Sequence, residues 1–279
     1  MVAISPQTRE RIKGYLEGFI EGLVNEYKER SIQKITNVEE YLSRKSSRGD
    51  LKPFHAAIIP TEIILINQFE RGFSTRLGNS FEECAYLIAS EHHQQVSRAY
   101  DIKARVSLSA YAEAECQKEN YEYQVASSSS KPSFQEMITA VLDARRLDDL
   151  EDKKIRADLY ILTQDGTEIF FEIKSPKPNK GQCLEVLQRL LRFHLLRGIN
   201  RPQLQSYYAM TYNPYGYLKE DYKWSYTRNY FPFEEAVLIG NEFWNIIGRE
   251  TTYRELLEIY QQVGKEKSKY IIDALAFGF

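Results

Sequence analysis

Residues 155–182 read IRADLYILTQDGTEIFFEIKSPKPNKGQ, and the fold turns on how this stretch is arranged. Two runs rich in Ile, Leu, Tyr and Phe flank Gln164-Asp165-Gly166-Thr167, which predicts a hairpin with strands over 157–163 and 167–174. On a two-residue period Leu159, Ile161, Ile169, Phe171 and Ile173 form one apolar face, while Asp158, Tyr160, Leu162, Phe170, Glu172 and Lys174 share the other. A two-residue loop would set Asp158 opposite Ile173 and mix the faces. A three-residue loop with Gly166 in the left-handed conformation pairs Thr163 with Thr167 and sets Asp158 opposite Glu172, and this register is expected. Two neighbouring carboxylates repel unless a cation lies between them, and hard oxygens suit Mg²⁺ or Mn²⁺. Lys174 is then placed to hold a water or a developing charge beside such an ion.

The spacing Asp158, 13 residues, Glu172-Ile173-Lys174 resembles the PD-(D/E)xK nuclease motif, with Arg156-Ala157 where that family often has Pro. Ser175 to Gln182 is similar to the segment after the motif lysine in several type II restriction endonucleases. Asn213-Pro214-Tyr215-Gly216 and the blocks Glu242-Phe243-Trp244 through Thr252-Tyr253 resemble the TdeIII-like group of those enzymes. The resemblance implies a restriction-endonuclease-like α/β core with a small mixed sheet flanked by helices. It further implies metal ligation by Asp158, Glu172 and the Ile173 carbonyl, with Gln182 orienting water. Thr75 to Glu82 is similar to the segment that brings an extra acid from an early helix, which would make Glu82 a further ligand. Residue types alone leave another reading open, a surface ribbon whose Glu172 and Lys174 form a solvated ion pair worth little.

Around this centre the 279-residue chain is long enough for a sizeable core. Net charge is −2, so contact with a polyanion must come from local patches. The three cysteines, Cys84, Cys116 and Cys183, are odd in number and far apart, which argues against a disulfide framework or zinc cluster and for a reducing cytoplasm. No signal peptide is visible, and the apolar runs near residues 58–66 are too short to span a bilayer. The expected layout is one domain over 1–279: a helical, dimerising part to residue 55, a catalytic core over 56–200, and C-terminal strands and helices over 201–279.

Ser5-Pro6 opens a helix whose Ile12, Leu16, Ile20 and Val24 recur at helical spacing. Residues 44–52, including Arg48 and Lys52, form either a solvated loop or a basic arm on phosphates. A helix is expected over 60–69, a loop over 70–78 and a second helix over 79–91. In that second helix Asn79 with Glu82, or Ser80 with Glu83, makes a capping box, the plain alternative to Glu82 as a ligand. His92 and His93 point about 100° apart on a helix and are read as ordinary polar residues, with His55 and His194. Further helices are expected over 105–123, from Ser133 to about Arg146, and over 182–197. Strands are expected over 206–212 and 236–239. Thr252 with Glu255 is expected to cap another helix, and Lys269 to start a last one. The serines of 126–132 are the most linker-like stretch.

Between Lys174 and Arg201 only one charged residue, Glu185, is acidic, which points to Lys177, Lys180, Arg189 and Arg192 on phosphates. The segment 217–231 interleaves aromatic and basic residues, and its Arg228 is a candidate for a guanine edge. The function expected is that of a Mg²⁺-dependent endonuclease cutting duplex DNA at a specific sequence, as a homodimer beside a cognate methyltransferase. The alternatives are a repair or recombination nuclease of the same fold, or a non-catalytic DNA-binding protein.

Overall fold

The computed structural model describes residues 2–28, 38–43, 45, 51–127, 129–198 and 203–274. Arg48 and most of the expected basic arm lie outside them. In chain order the elements are α1 (Pro6–Lys28), α2 (Val38–Leu42), α3 (Pro53–Ile58), α4 (Thr61–His92), β1 (Gln95–Ser107), α5 (Leu108–Ala126) and α6 (Phe134–Asp143). Then come β2 (Leu150–Leu162), β3 (Glu168–Lys174), α7 (Lys180–Arg197), β4 (Leu204–Met210), α8 (Ser225–Tyr230), α9 (Phe233–Ala236), β5 (Val237–Ile239), α10 (Asn241–Ile247) and α11 (Thr252–Ile272). By packing the chain forms two units, one of residues 1–8 and 81–256, the other of residues 9–80 and 257–279. The serines of 126–132 fall inside the first unit, between α5 and α6.

The first unit is built on a five-stranded sheet of order β1-β2-β3-β4-β5. β1/β2 and β2/β3 are antiparallel, while β3/β4 and β4/β5 are parallel, with α7 as the crossover from β3 to β4. The β2/β3 turn has the three-residue form: Thr163 N–H donates to the Thr167 carbonyl at 2.9 Å, and Gly166 has φ +87°. The register agrees as far as Leu159 opposite Phe171, with Ile161 opposite Ile169, but the ladder ends there and the expected pairing of Asp158 with Glu172 does not form. Both hairpin faces are buried. Tyr160 and Phe170 join the core over α7 with Leu187, Leu191 and Phe193, and on the opposite face Phe171 meets Phe243 edge-on at 5.5 Å.

α7 begins at a reciprocal cap between Asn179 and Gln182, and α6 at one between Ser133 and Glu136. In the second unit Ile12, Leu16, Ile20, Leu23 and Tyr27 line the buried side of α1.

Four expectations are corrected. The loop expected over 70–78 is helical, and α4 runs unbroken for 32 residues. Its Gly72 reads as a breaker but serves a close approach, since a Cβ there would lie 2.1 Å from Tyr27 Oη. Asn79 and Ser80 are therefore mid-helix, neither capping box with Glu82 or Glu83 forms, and Ser80 Oγ donates to the Leu77 carbonyl at 2.8 Å. Residues 105–107, expected as helix, end the 13-residue strand β1, and α5 starts after Ser107, whose hydroxyl accepts from Ala110 N–H. β1 itself was not expected, because its sequence QVSRAYDIKARVS is too polar to read as a buried strand. Thr252 accepts from Arg249 N–H and Glu255 accepts from Ala3 and Ile4 N–H, each of the last two at 2.9 Å, so the expected box does not form. Lys269 lies inside α11 and starts no new helix.

Candidate active site

β2 carries a fault at Asp158. Ile155 and Ala157 face α7, and so does Tyr160, whereas regular alternation would turn Tyr160 away. The partner strand has a matching fault: Ala99, flanked by the pairs Arg98–Leu159 and Tyr100–Ala157, has φ +49°. A left-handed alanine costs roughly 1–2 kcal/mol, and here it lies directly across from Asp158. Such outliers persist where the surrounding structure over-determines them.

Beyond Phe171 strands β2 and β3 separate, and the Asp158 side chain stands in for the missing ladder partner. Its Oδ2 accepts from the Ile173 backbone N–H at 2.8 Å and from Lys174 Nζ at 2.9 Å. Lys174 Nζ also lies 3.2 Å from Glu172 Oε2. Glu172 is fully buried, and its Oε1 accepts from Arg189 Nη2 at 2.9 Å. That same Arg189 nitrogen donates to the Arg156 carbonyl. Glu172 Oε2 is buried, and its ion-pair partner is the Lys174 ammonium.

Burial and the charge of Asp158 push the Glu172 carboxyl above its ordinary pKa, against the pull of Arg189 and Lys174. Burial works to lower the Lys174 ammonium, but Glu172 and Asp158 outweigh it, so the lysine is held protonated. From α4, Glu82 feels the same Asp158 charge: burial first and Asp158 second raise its pKa, opposed by Arg98 and Lys174. Arg98 binds both acids of the helix, Glu83 through Nη1 and Glu82 through Nη2 at 3.4 Å. Asp158 and Lys174 thus act electrostatically on both Glu172 and Glu82. Arg98 was not expected there, because its strand is not recognisable from sequence.

Among the described residues no three of His, Cys, Asp and Glu form a cluster that could hold a metal ion. The donor set nonetheless fits a divalent cation in kind. It offers hard carboxylate oxygens, among them the buried Oε2 of Glu172, which has no hydrogen-bond partner and lies beside the Lys174 ammonium.

The remaining candidates are placed otherwise. The Gln182 side chain is committed to the α7 cap, its Oε1 accepting from Asn179 N–H at 2.9 Å. Arg189, expected on phosphate, is instead bonded to Glu172. Arg192 stacks on Tyr111, its guanidinium carbon 3.9 Å from the ring centre. Arg228 donates to the Tyr222 carbonyl at 2.8 Å and lies over Phe233, so its base-reading role has no support in its geometry. Lys180 pairs with Glu122 at 2.6 Å. Lys177 is exposed beside the rings of Tyr215 and Trp224, on a loop pinned by Tyr222 and Trp224 to the carbonyls of Pro176 and Pro178. Lys52 is exposed in the second unit. The histidines are structural: His93 and His92 bond the carbonyls of Ile246 and Ala3, and His194 is buried against Ser206.

Comparison with known proteins is consistent with this geometry. The family described as type II restriction endonuclease, HinfI, matches residues 8–264. The type II restriction enzyme HgiEI of Herpetosiphon aurantiacus is 45% identical over 98% of this chain and 99% of its own. HgiCII from the same organism is 44% identical over 98% of this chain and all of its own. The type II restriction enzyme MjaII of Methanocaldococcus jannaschii is 25% identical over 76% of this chain and 58% of its own. No solved structure matches. The expected class is borne out, and the group within it is HinfI where the later sequence blocks resembled TdeIII-like enzymes.

Proposed function

The chain belongs to the HinfI family of type II restriction endonucleases, enzymes that hydrolyse DNA at specific sequences, and we propose that Asp158, Glu172 and Lys174 carry that reaction here. The observation that carries this reading is the parting of β2 from β3 at Asp158. It brings two carboxylates and a protonated lysine together at the end of the ladder, one carboxylate oxygen lacking a donor.

Asp158 and Glu172, with the Ile173 carbonyl, would hold a divalent cation, Mg²⁺ or Mn²⁺, and Glu82 on α4, now paired with Arg98, would join them only by moving closer. When bound, such an ion supplies charge neutralisation on the phosphate and acidifies water. Lys174, kept protonated by its two acids, stabilises the negative charge that grows on the phosphate during attack. Asp158 fixes the lysine and the Ile173 backbone at once, so its two bonds set the lysine's position. Arg189 holds Glu172 from the α7 side and leaves Oε2 as the oxygen presented to the site. Lys177 is the exposed base nearest in sequence to Lys174 and is placed for a flanking phosphate.

The substrate is duplex DNA. A two-fold-symmetric target calls for two related active sites, hence a homodimer, and a methyltransferase of the same specificity protects the host DNA. Among the described residues no helix is long and apolar enough to cross a membrane. Digestion of a DNA of known sequence with Mg²⁺ tests the reading. Discrete fragments with a common end sequence are expected, and a smear would instead point to a repair-type nuclease.

A further inference from the structure

The inner face of the β1–β2 arm is core, with Ile102, Val106, Ile155 and Ala157 packed beside α7. Its outer face carries Asp101, Lys103 and Arg105 on one strand and Asp152, Lys154 and Arg156 on the other, all exposed except the half-buried Asp101. On that side of the sheet Glu82 and Glu83 of α4 reach Arg98, and past Ala99 the face is open.

The register sets Lys103 directly opposite Lys154 and Arg105 opposite Asp152. Like charges facing each other across an antiparallel pair destabilise the sheet, and an anion lying across them reverses the sign. Asp101 is taken up by Lys154 at 2.7 Å and Arg156 at 2.8 Å, which hold its carboxyl well below the usual range. Lys103 and Arg105 make no ion pair with the described residues.

Position along the strand indicates what kind of anion fits. Same-face residues on a strand step by about 6.8 Å, so Arg156 lies one step and Lys154 two steps from Asp158. The cations form an open row leading to the site and do not converge on a point, which suits a linear polyanion and not a small ion. We propose that the outer face of β1–β2 is a track for the phosphate backbone of the duplex being cut, with Lys103, Arg105 and, in exchange for its bond to Asp101, Lys154 as its contacts. This rests on the nuclease reading of Asp158, Glu172 and Lys174.

The test is the salt dependence of DNA binding by the full chain in Ca²⁺, read by fluorescence anisotropy on duplexes with and without the cleavage site. Removing one phosphate-binding cation flattens the slope of log affinity against log salt by about 0.9. Lys103→Ala/Arg105→Ala/Lys154→Ala should therefore flatten it by up to about 2.7 on both duplexes, with the melting temperature kept. The single variant Lys103→Gln should flatten it by about 0.9. A wild type that binds and cuts while the triple variant keeps its slope would overturn the track alone. If that variant also aggregates, the charges serve only to guard an edge strand. A wild type that neither binds nor cuts DNA would overturn the nuclease reading and the track with it.

Discussion

At the scale of single residues, the site depends on a buried carboxylate with two cationic partners. Removing one partner of a buried ion pair typically costs about 3–5 kcal/mol, because the other charge is left uncompensated. Arg189→Met should therefore destabilise the protein markedly, while Arg189→Lys, which keeps the charge, should recover part of the loss. The sign with pH is set by Glu172, whose pKa is already raised and rises further without Arg189. Its proton is favoured in the folded state, so the penalty is full above the folded pKa and shrinks as pH falls through it. Thermal melts of Arg189→Met at pH 8 and pH 5 check this, and an equal deficit at both would show that Glu172 is not the group left unpaired. The spacing of Asp158, Glu172 and Lys174 was legible in the sequence, but strand period alone did not place Asp158, because β2 departs from alternation there and its ladder with β3 ends at Leu159 and Phe171. Arg189 was legible only as a charge on α7, since its partner depends on how that helix lies over the sheet. The Gln182 side chain is engaged in the cap with Asn179, local chemistry that competes with any role in the site.

At the scale of elements, two features can be probed away from the catalytic groups. The left-handed Ala99 tolerates no branching at Cβ. Ala99→Val should destabilise by at least about 1–2 kcal/mol, while Ala99→Gly should be neutral or stabilising because glycine adopts positive φ freely. Denaturant titration of both variants reads this, and equal stability would mean that β1 is not kinked there. On α7, burial lowers the His194 pKa to about 4. The unfolded chain protonates this histidine near its ordinary 6.5 and the folded protein does not until about 4, so its contribution to stability is lost between those values as pH falls. His194→Asn should lack that share of the slope, and parallel stability curves for variant and wild type would contradict the assignment. The helix capped at Ser133 was read well from sequence. α4 and β1 were not, because Gly72 and Gly78 look like breakers and β1 is amphipathic with many charges.

At the scale of the whole molecule, the type of fold was legible in the hairpin, but the division into packing units was not. The first unit closes on itself only when residues 1–8 join 81–256, and such pairings between distant segments leave no local signal. A two-fold-symmetric target would require a homodimer, and under that proposal sedimentation velocity should give twice the 32.7 kDa chain mass. A species that remains monomeric while cutting both strands in one encounter would contradict it. The carboxylates and lysine at the parted end of β2 and β3 are the groups proposed to perform metal-dependent cleavage. The most direct measurement compares plasmid cleavage in Mg²⁺ by wild type, Asp158→Asn and Lys174→Ala, each shown to be folded and to bind DNA in Ca²⁺. Asparagine keeps an oxygen for the Ile173 N–H but loses the charge, so folded, DNA-binding variants with cleavage abolished in both are expected. Wild-type cleavage rates in both variants would show that the hairpin is only structural and that the reaction takes place elsewhere.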